Sequence, residues 1–136
     1  MYLIKKIVIL IMTFSIYLSS SDSIYDHVPN SEEAISIYTD KKKETIEIIF
    51  KLHKGVYVYK NKIKVKQEDL MKPFIILGEI TFIKDNFFGT QPILEKDFIL
   101  SFNLSDIISK NDIYLEYQGC FKNSFCYSKK EEKISY

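Results

Sequence analysis

The sequence predicts an all-β fold, an antiparallel β-sandwich of immunoglobulin-like arrangement, and three observations carry that expectation. Apolar and polar residues alternate with period two over several short stretches. Turn-forming residues interrupt those stretches at close spacing. No amphipathic run of helical period extends to about ten residues.

Taken in chain order, the N-terminus comes first as a targeting element. Lys5 and Lys6 precede an almost wholly apolar run over residues 7–18, and Ser19, Ser20 and Ser21 follow it. A basic start, an apolar core and small residues behind it make a secretory signal peptide, expected over residues 1–21. The alternative is an uncleaved anchor, which needs about 20 apolar residues to span a bilayer, more than this run supplies. Residues 22–43 are polar and irregular around Pro29, Glu32 and Glu33, and are read as an N-terminal arm with at most short structure.

The domain proper is expected over residues 44–136. Ile46, Ile48, Phe50 and Leu52 alternate with Glu47, Lys51 and His53, the signature of a half-buried strand. Lys54-Gly55 punctuates it, and Val56-Tyr57-Val58-Tyr59 resumes it. Asn61 marks a turn or bulge before residues 62–66, where lysines take one face and apolar side chains the other. Residues 67–73 read as a polar connection with room for one helical turn. Residues 74–77 and 80–83 are short apolar runs broken by Gly78, and residues 84–90 read as a loop that carries two adjacent phenylalanines. Phe98, Leu100, Phe102 and Leu104 alternate again. After a polar crossover over residues 105–112, Ile113, Leu115 and Tyr117 lead into Cys120. A charged stretch, Lys129 to Lys133, precedes a final strand with Ile134 and Tyr136. The count comes to seven or so short strands.

Charge and motifs remove most function classes. The sequence has 19 basic and 18 acidic residues; residues 1–21 hold two of the lysines and no acid, so the remainder stands at 17 and 18, a net charge of −1. That balance gives no reason to expect nucleic acid or an anionic membrane surface as partner. His27 and His53 are far apart and the cysteines number two, so no metal site is expected. Four glycines make no phosphate-binding loop, and Glu32-Glu33 and Glu131-Glu132 lie in charged, solvated segments. No cofactor is expected.

What remains is the stretch from Tyr117 to Tyr127, which holds Cys120 and Cys126. A hairpin between them brings the Cα atoms to roughly 5 Å, within reach of a disulfide, and export would place them in an oxidising compartment. About 115 residues suffice for a modest core without a disulfide. A short loop stabilises least in the chain-entropy model, which leans toward a redox reagent; composition alone leans toward a structural staple. The residues by themselves leave both readings open.

The stretch resembles the active-site hairpin of the N-terminal periplasmic domain of the thiol:disulfide interchange protein DsbD, in Tyr117-Gln118-Gly119-Cys120 and Phe125-Cys126-Tyr127. Residues 54–63, with Gly55-Val56-Tyr57-Val58-Tyr59, are similar to that family's Gly-Tyr-Tyr-x-Tyr-type strand. Asp85-Asn86-Phe87-Phe88-Gly89 is similar to its cap loop. The resemblance covers residues from about 44 to the end. It departs at Asn86 and Phe88, which replace an acid and a tyrosine, and at Ser128-Lys129, where the family has prolines.

The resemblance implies an immunoglobulin-like sandwich that relays reducing equivalents in the periplasm. Its acceptors would be thioredoxin-like redox proteins, disulfide isomerases and a cytochrome c maturation protein among them. By position, Cys126 would be the nucleophile, Cys120 the resolving thiol, and Phe87 the cap over a Cys120–Cys126 disulfide. Asp85, Asn86, Phe88, Gly89, Tyr57, Tyr59 and Tyr127 would line the site. For Phe87, Phe88, Tyr57 and Tyr59 the plainer reading is an aromatic anchor in the core. The family's membrane and thioredoxin-like domains are not in this sequence, so the expectation is a standalone module served by a separately encoded membrane thiol reductase. The alternative is a non-catalytic secreted sandwich that binds a partner and keeps the disulfide as a fixed clip.

Overall fold

The computed structural model describes residues 27–136 apart from Phe87, residues 109–111, Asn123 and the side chain of Asp85. The expected leader over residues 1–21 lies outside the described residues, and so does the side chain expected to act as the cap, Phe87.

The described residues form three antiparallel sheets, one α-helical turn, α1 (Ser31–Ala34), and two 3-10 turns, Lys60–Lys62 and Leu104–Asp106. The strands are β1 (Ile35–Lys41), β2 (Thr45–Leu52), β3 (Val56–Tyr59), β4 (Lys64–Gln67), β5 (Leu70–Met71), β6 (Ile75–Leu77) and β7 (Thr81–Asp85). They continue with β8 (Gly89–Leu94), β9 (Phe98–Asn103), β10 (Ile113–Tyr117), β11 (Gly119–Phe121), β12 (Phe125–Cys126) and β13 (Lys130–Ile134). One sheet runs β1-β2-β9-β6, a second β13-β10-β4-β5, and a third β12-β11-β3-β8-β7. The second and third are linked by shared strand paths. β3 passes through a 3-10 turn, Lys60–Lys62, into β4, and β10 passes through Gln118 into β11. β10 pairs with β4, and β11 with β3.

The alternation in β2 does what its pattern predicts. Ile46, Ile48 and Phe50 are fully buried, and they pack with Phe98, Leu100 and Phe102 of β9 against Val56, Val58, Val65, Leu94, Ile113, Leu115 and Phe121 of the other two sheets. Phe50 stacks on Phe98 at 4.3 Å between centroids and meets Tyr117 edge-on at 5.4 Å. Two sheet faces closing on one apolar layer make the immunoglobulin-like sandwich.

Three local readings change. The segment read as an arm is a strand from Ile35 onward, paired with β2 from Ile35↔Leu52 to Lys41↔Ile46. Its alternation is weak because Tyr38 is 57% exposed at a sheet edge, so apolar residues do not all face inward. The connection over residues 67–73 holds no helical turn. Glu68 and Asp69 both adopt positive φ, 48° and 59°, and close a two-residue hairpin between β4 and β5, with Gln67↔Leu70 as its last pair. The loop over residues 84–90 shrinks to 86–88, because β7 and β8 pair as far as Asp85↔Gly89. Gly89 has φ 70°, the left-handed residue that a three-residue hairpin loop requires.

Candidate functional site

β3 builds the site because all four of its residues are buried while their side chains point alternately to two faces. Val56 and Val58 enter the sandwich core, whereas Tyr57 and Tyr59 enter a second, smaller cluster with Ile93 and Cys120, against which Ile83 and Cys126 pack. β11 follows the same rule. Phe121 joins the main core and Cys120 the small cluster.

Cys120 and Cys126 are directly opposed in the β11–β12 hairpin, with Phe121↔Phe125 as the last pair before the turn. They form a disulfide whose Cα atoms lie 3.9 Å apart, closer than the hairpin spacing expected from sequence. Backbone bonds from Ser124 N to Phe121 O, 2.8 Å, and from Lys122 N to Gly55 O, 2.9 Å, hold the tip. Lys122 adopts φ 46° and Gly55 φ 84°, so both turns use left-handed backbone where they touch. At the base, Tyr127 N donates to Gly119 O at 2.9 Å and Gln118 Nε2 to Tyr127 O at 3.3 Å. Gly119 is fixed by space rather than by φ: a Cβ there would lie 2.6 Å from Ile35 Cδ1 and 3.3 Å from Tyr57 O.

The two sulfurs differ in access. Cys120 is fully buried and Cys126 is half-buried. Tyr59 Oη lies 3.8 Å from Cys126 Sγ; a disulfide sulfur carries no proton, so the hydroxyl is the donor. Tyr57 meets Tyr59 edge-on at 5.5 Å, and Tyr59 meets Phe88 edge-on at 5.1 Å. Phe88 is 41% exposed. Gln91 Nε2 donates to its carbonyl at 3.0 Å, and the ammonium of Lys62 sits 4.6 Å from the centre of its ring.

Of the residues singled out from sequence, Tyr57, Tyr59 and Phe88 therefore gather on the disulfide side. Asn86 is exposed, and Asp85 and Gly89 close the loop through their backbones. Tyr127 does not join the small cluster. Being one residue beyond Cys126, it turns to the opposite face, packs on the main core and donates to Pro29 O at 2.9 Å. Burial raises the pKa of its hydroxyl, and the carboxylate of Glu33 raises it further.

Sequence reasoning missed a charged device at the hairpin base. Glu116, only 2% exposed, is bracketed by Lys66 and by Lys129, the latter at 3.1 Å. Alternation in β10 puts Glu116 with exposed Tyr114 on the face opposite Ile113, Leu115 and Tyr117, and so predicts a solvated acid. The lysines that cover it lie 50 and 13 residues away and leave no local signal. Among the described residues no three His, Cys, Asp or Glu side chains converge to hold a metal ion.

Comparison with known proteins bears on this hairpin. The family model described as "Thiol:disulfide interchange protein DsbD, N-terminal" matches residues 26–136. The chain belongs to this family. A DsbD of Yersinia pestis (strain Pestoides F) is 25% identical over 97 residues, covering 71% of this chain and 16% of that protein. A Vibrio cholerae DsbD is 28% identical over 96 residues, with the same coverage. The chain thus spans about a sixth of the curated relatives it matches. Among solved structures, the reduced DsbD N-terminal domain of Neisseria meningitidis superposes with a TM-score of 0.63 at 24% identity, covering 79% of this chain and 90% of that one, and speaks for the fold. A complex of the DsbD N-terminal and PilB N-terminal domains from the same organism gives 0.60 at 25% identity, covering 80% and 88%. Membership in the DsbD N-terminal family, together with the Cys120–Cys126 disulfide, supports thiol–disulfide exchange as the chemistry of this domain. Among the described residues no helix is long and apolar enough to cross a membrane.

Proposed function

We propose that this domain is a periplasmic relay for reducing equivalents, in which Cys126 exchanges with a thioredoxin-like protein and Cys120 resolves the intermediate. The observation that carries the reading is the unequal burial of two sulfurs in one cross-strand pair: Cys126 is half-buried, Cys120 fully buried. Exchange needs in-line approach of a thiolate to one sulfur, and Cys126 is the sulfur an outside group can reach.

In the forward direction the reduced domain has two thiols. The Cys126 thiolate attacks one sulfur of the partner's disulfide; a Cys126–partner disulfide forms and the partner's other sulfur leaves as thiolate. Cys120, deprotonated, then attacks Cys126 Sγ. The Cys120–Cys126 disulfide forms, the partner leaves with two thiols, and the domain has lost two electrons. A membrane thiol reductase restores it by the same steps reversed. The tyrosine hydroxyl of Tyr59 at Cys126 Sγ would stabilise a thiolate there, since a hydrogen bond to the charged form lowers a thiol's pKa. Phe87, by family position, would shield the pair between encounters. The solved Neisseria meningitidis complex of a DsbD N-terminal domain with a PilB N-terminal domain supports a protein as the partner of such a domain.

The test is to mix reduced protein with an oxidised thioredoxin-like protein and count thiols. Loss of both thiols from the native domain, none of this transfer with Cys126→Ala, and a stalled mixed disulfide at Cys126 with Cys120→Ala are expected. If the native disulfide stays closed to such partners in both directions while ligand binding persists in Cys120→Ser plus Cys126→Ser, the domain is a binding module with a fixed clip.

A further inference from the structure

The contacts that run outward from Cys126 end on a cation. Tyr59 touches the sulfur, Phe88 packs edge-on against Tyr59, and Lys62 places its ammonium over the exposed Phe88 ring. Lys62 is set there by the 3-10 turn that follows Tyr59, which Ile63 N closes on Lys60 O at 3.2 Å. Among the described residues Lys62 forms no ion pair, unlike Lys51, Lys96 and Lys133, each held by a carboxylate. Glu116, the buried acid among the described residues near the hairpin, is already matched by Lys66 and Lys129. An aromatic face holds an ammonium weakly compared with a carboxylate in a partly desolvated contact. Lys62 is therefore a charge at the outer end of the contacts from Cys126 that has no carboxylate partner among the described residues.

We propose that Lys62 is a specificity residue of the exchange site: it reads a carboxylate on the incoming protein, so that the domain favours disulfides flanked by Asp or Glu. This rests on the exchange reading above. The exposed ring of Phe88, 41% accessible, supplies an apolar contact on the Cys126 side, and Lys62 supplies the electrostatic selection at its edge. Such a charge acts on encounter and register more than on the chemical step, and salt weakens it.

The experiment uses reduced protein and three cystine peptides of matched length whose cysteines are flanked by Asp, Ser or Lys. Second-order rates of thiol loss are measured at about 0.02 M and about 0.5 M salt, one below and one well above physiological screening. At low salt the Asp-flanked peptide should react about two- to fivefold faster than the Ser-flanked one, the scale of one partly exposed charge contact, and the Lys-flanked peptide slower. High salt should collapse the order. Lys62→Met should remove the preference, so that the three peptides react at similar rates, and Lys62→Glu should invert it. Lys43→Glu, the same charge change in the turn between β1 and β2, should leave the preference in place. If Lys62→Met keeps the acid preference, or if the three peptides react alike at low salt, Lys62 does not read the partner, although exchange itself stands. If no peptide reacts in any variant, the exchange reading fails with it.

Discussion

β3 presents the same strand to two different environments. Its Val56 and Val58 face is one wall of a large, purely apolar core; its Tyr57 and Tyr59 face belongs to a cluster of four buried residues that includes a disulfide sulfur. The large core has aliphatic and aromatic neighbours on every side and nothing reactive. The small one reaches the surface through Cys126 and Phe88. Strand alternation lets one backbone serve both, so stability and reactivity are placed on opposite sides of the same sheet and should respond separately to substitution.

The largest expected effect lies on the core side. Phe50→Ala removes a fully buried ring stacked on Phe98 and edge-on to Tyr117. Denaturant unfolding should show a loss of about 3–5 kcal/mol, as expected for deletion of a buried ring. In the population that remains folded, the Cys120–Cys126 reduction potential should stay unchanged. A shifted potential would show that the two faces are coupled through the sheet.

Next comes the reverse cut. Cys120→Ser with Cys126→Ser opens a link of sequence separation six, and loop-closure entropy predicts a cost of only about 2 kcal/mol. The variant should remain folded by circular dichroism and lose all exchange. Unfolding at room temperature would mean that the small cluster is part of the structural core after all.

These contrasts also explain what the sequence could and could not disclose. β2, β9 and β10 were legible because the period-two pattern reports their core-facing side directly, and the cysteine hairpin was legible from spacing. β3, buried on both faces, was legible from its run of β-branched and aromatic residues. β1 was hidden by its edge position, where Tyr38 faces water. β5 was hidden because a Glu-Asp turn adopts the left-handed backbone normally signalled by Asn-Gly. In the site, the shared face of Tyr57 and Tyr59 follows from alternation. The contacts of Lys62 with Phe88, Lys129 with Glu116 and Tyr127 with Pro29 join residues 26, 13 and 98 apart, and no local pattern encodes them.

Tyr59 and Tyr117 then sharpen the comparison to single atoms. Both are 1% exposed, but Tyr59 gives its hydroxyl to a sulfur and Tyr117 gives its hydroxyl to Glu132 Oε1 at 2.5 Å. Tyr59→Phe should slow attack by Cys126 about two- to tenfold at neutral pH, the scale of one hydrogen bond. It should also raise the pH midpoint of the rate, because the thiolate loses a donor. An unchanged pH–rate profile would confine Tyr59 to packing.

Tyr117 should instead act on stability, and only in alkali. Burial, reinforced by the Glu132 carboxylate, raises its hydroxyl's pKa well above the ordinary 10.0. Because the folded value is the higher one, the stability this group confers is complete below pH 10, where both states hold the proton. Above pH 10 the unfolded chain releases the proton and the folded chain does not, so stability falls as pH rises, by at most about 1.4 kcal/mol per pH unit. Lysine deprotonation contributes over the same range in native protein and variant alike. Tyr117→Phe removes the tyrosine contribution alone. The difference in unfolding free energy between native protein and Tyr117→Phe should be constant up to pH 10 and shrink above it, while exchange kinetics at neutral pH are unaffected. A difference that stays constant through pH 11 would mean that Tyr117 ionises no differently folded than unfolded, and that its bond to Glu132 does not set its protonation.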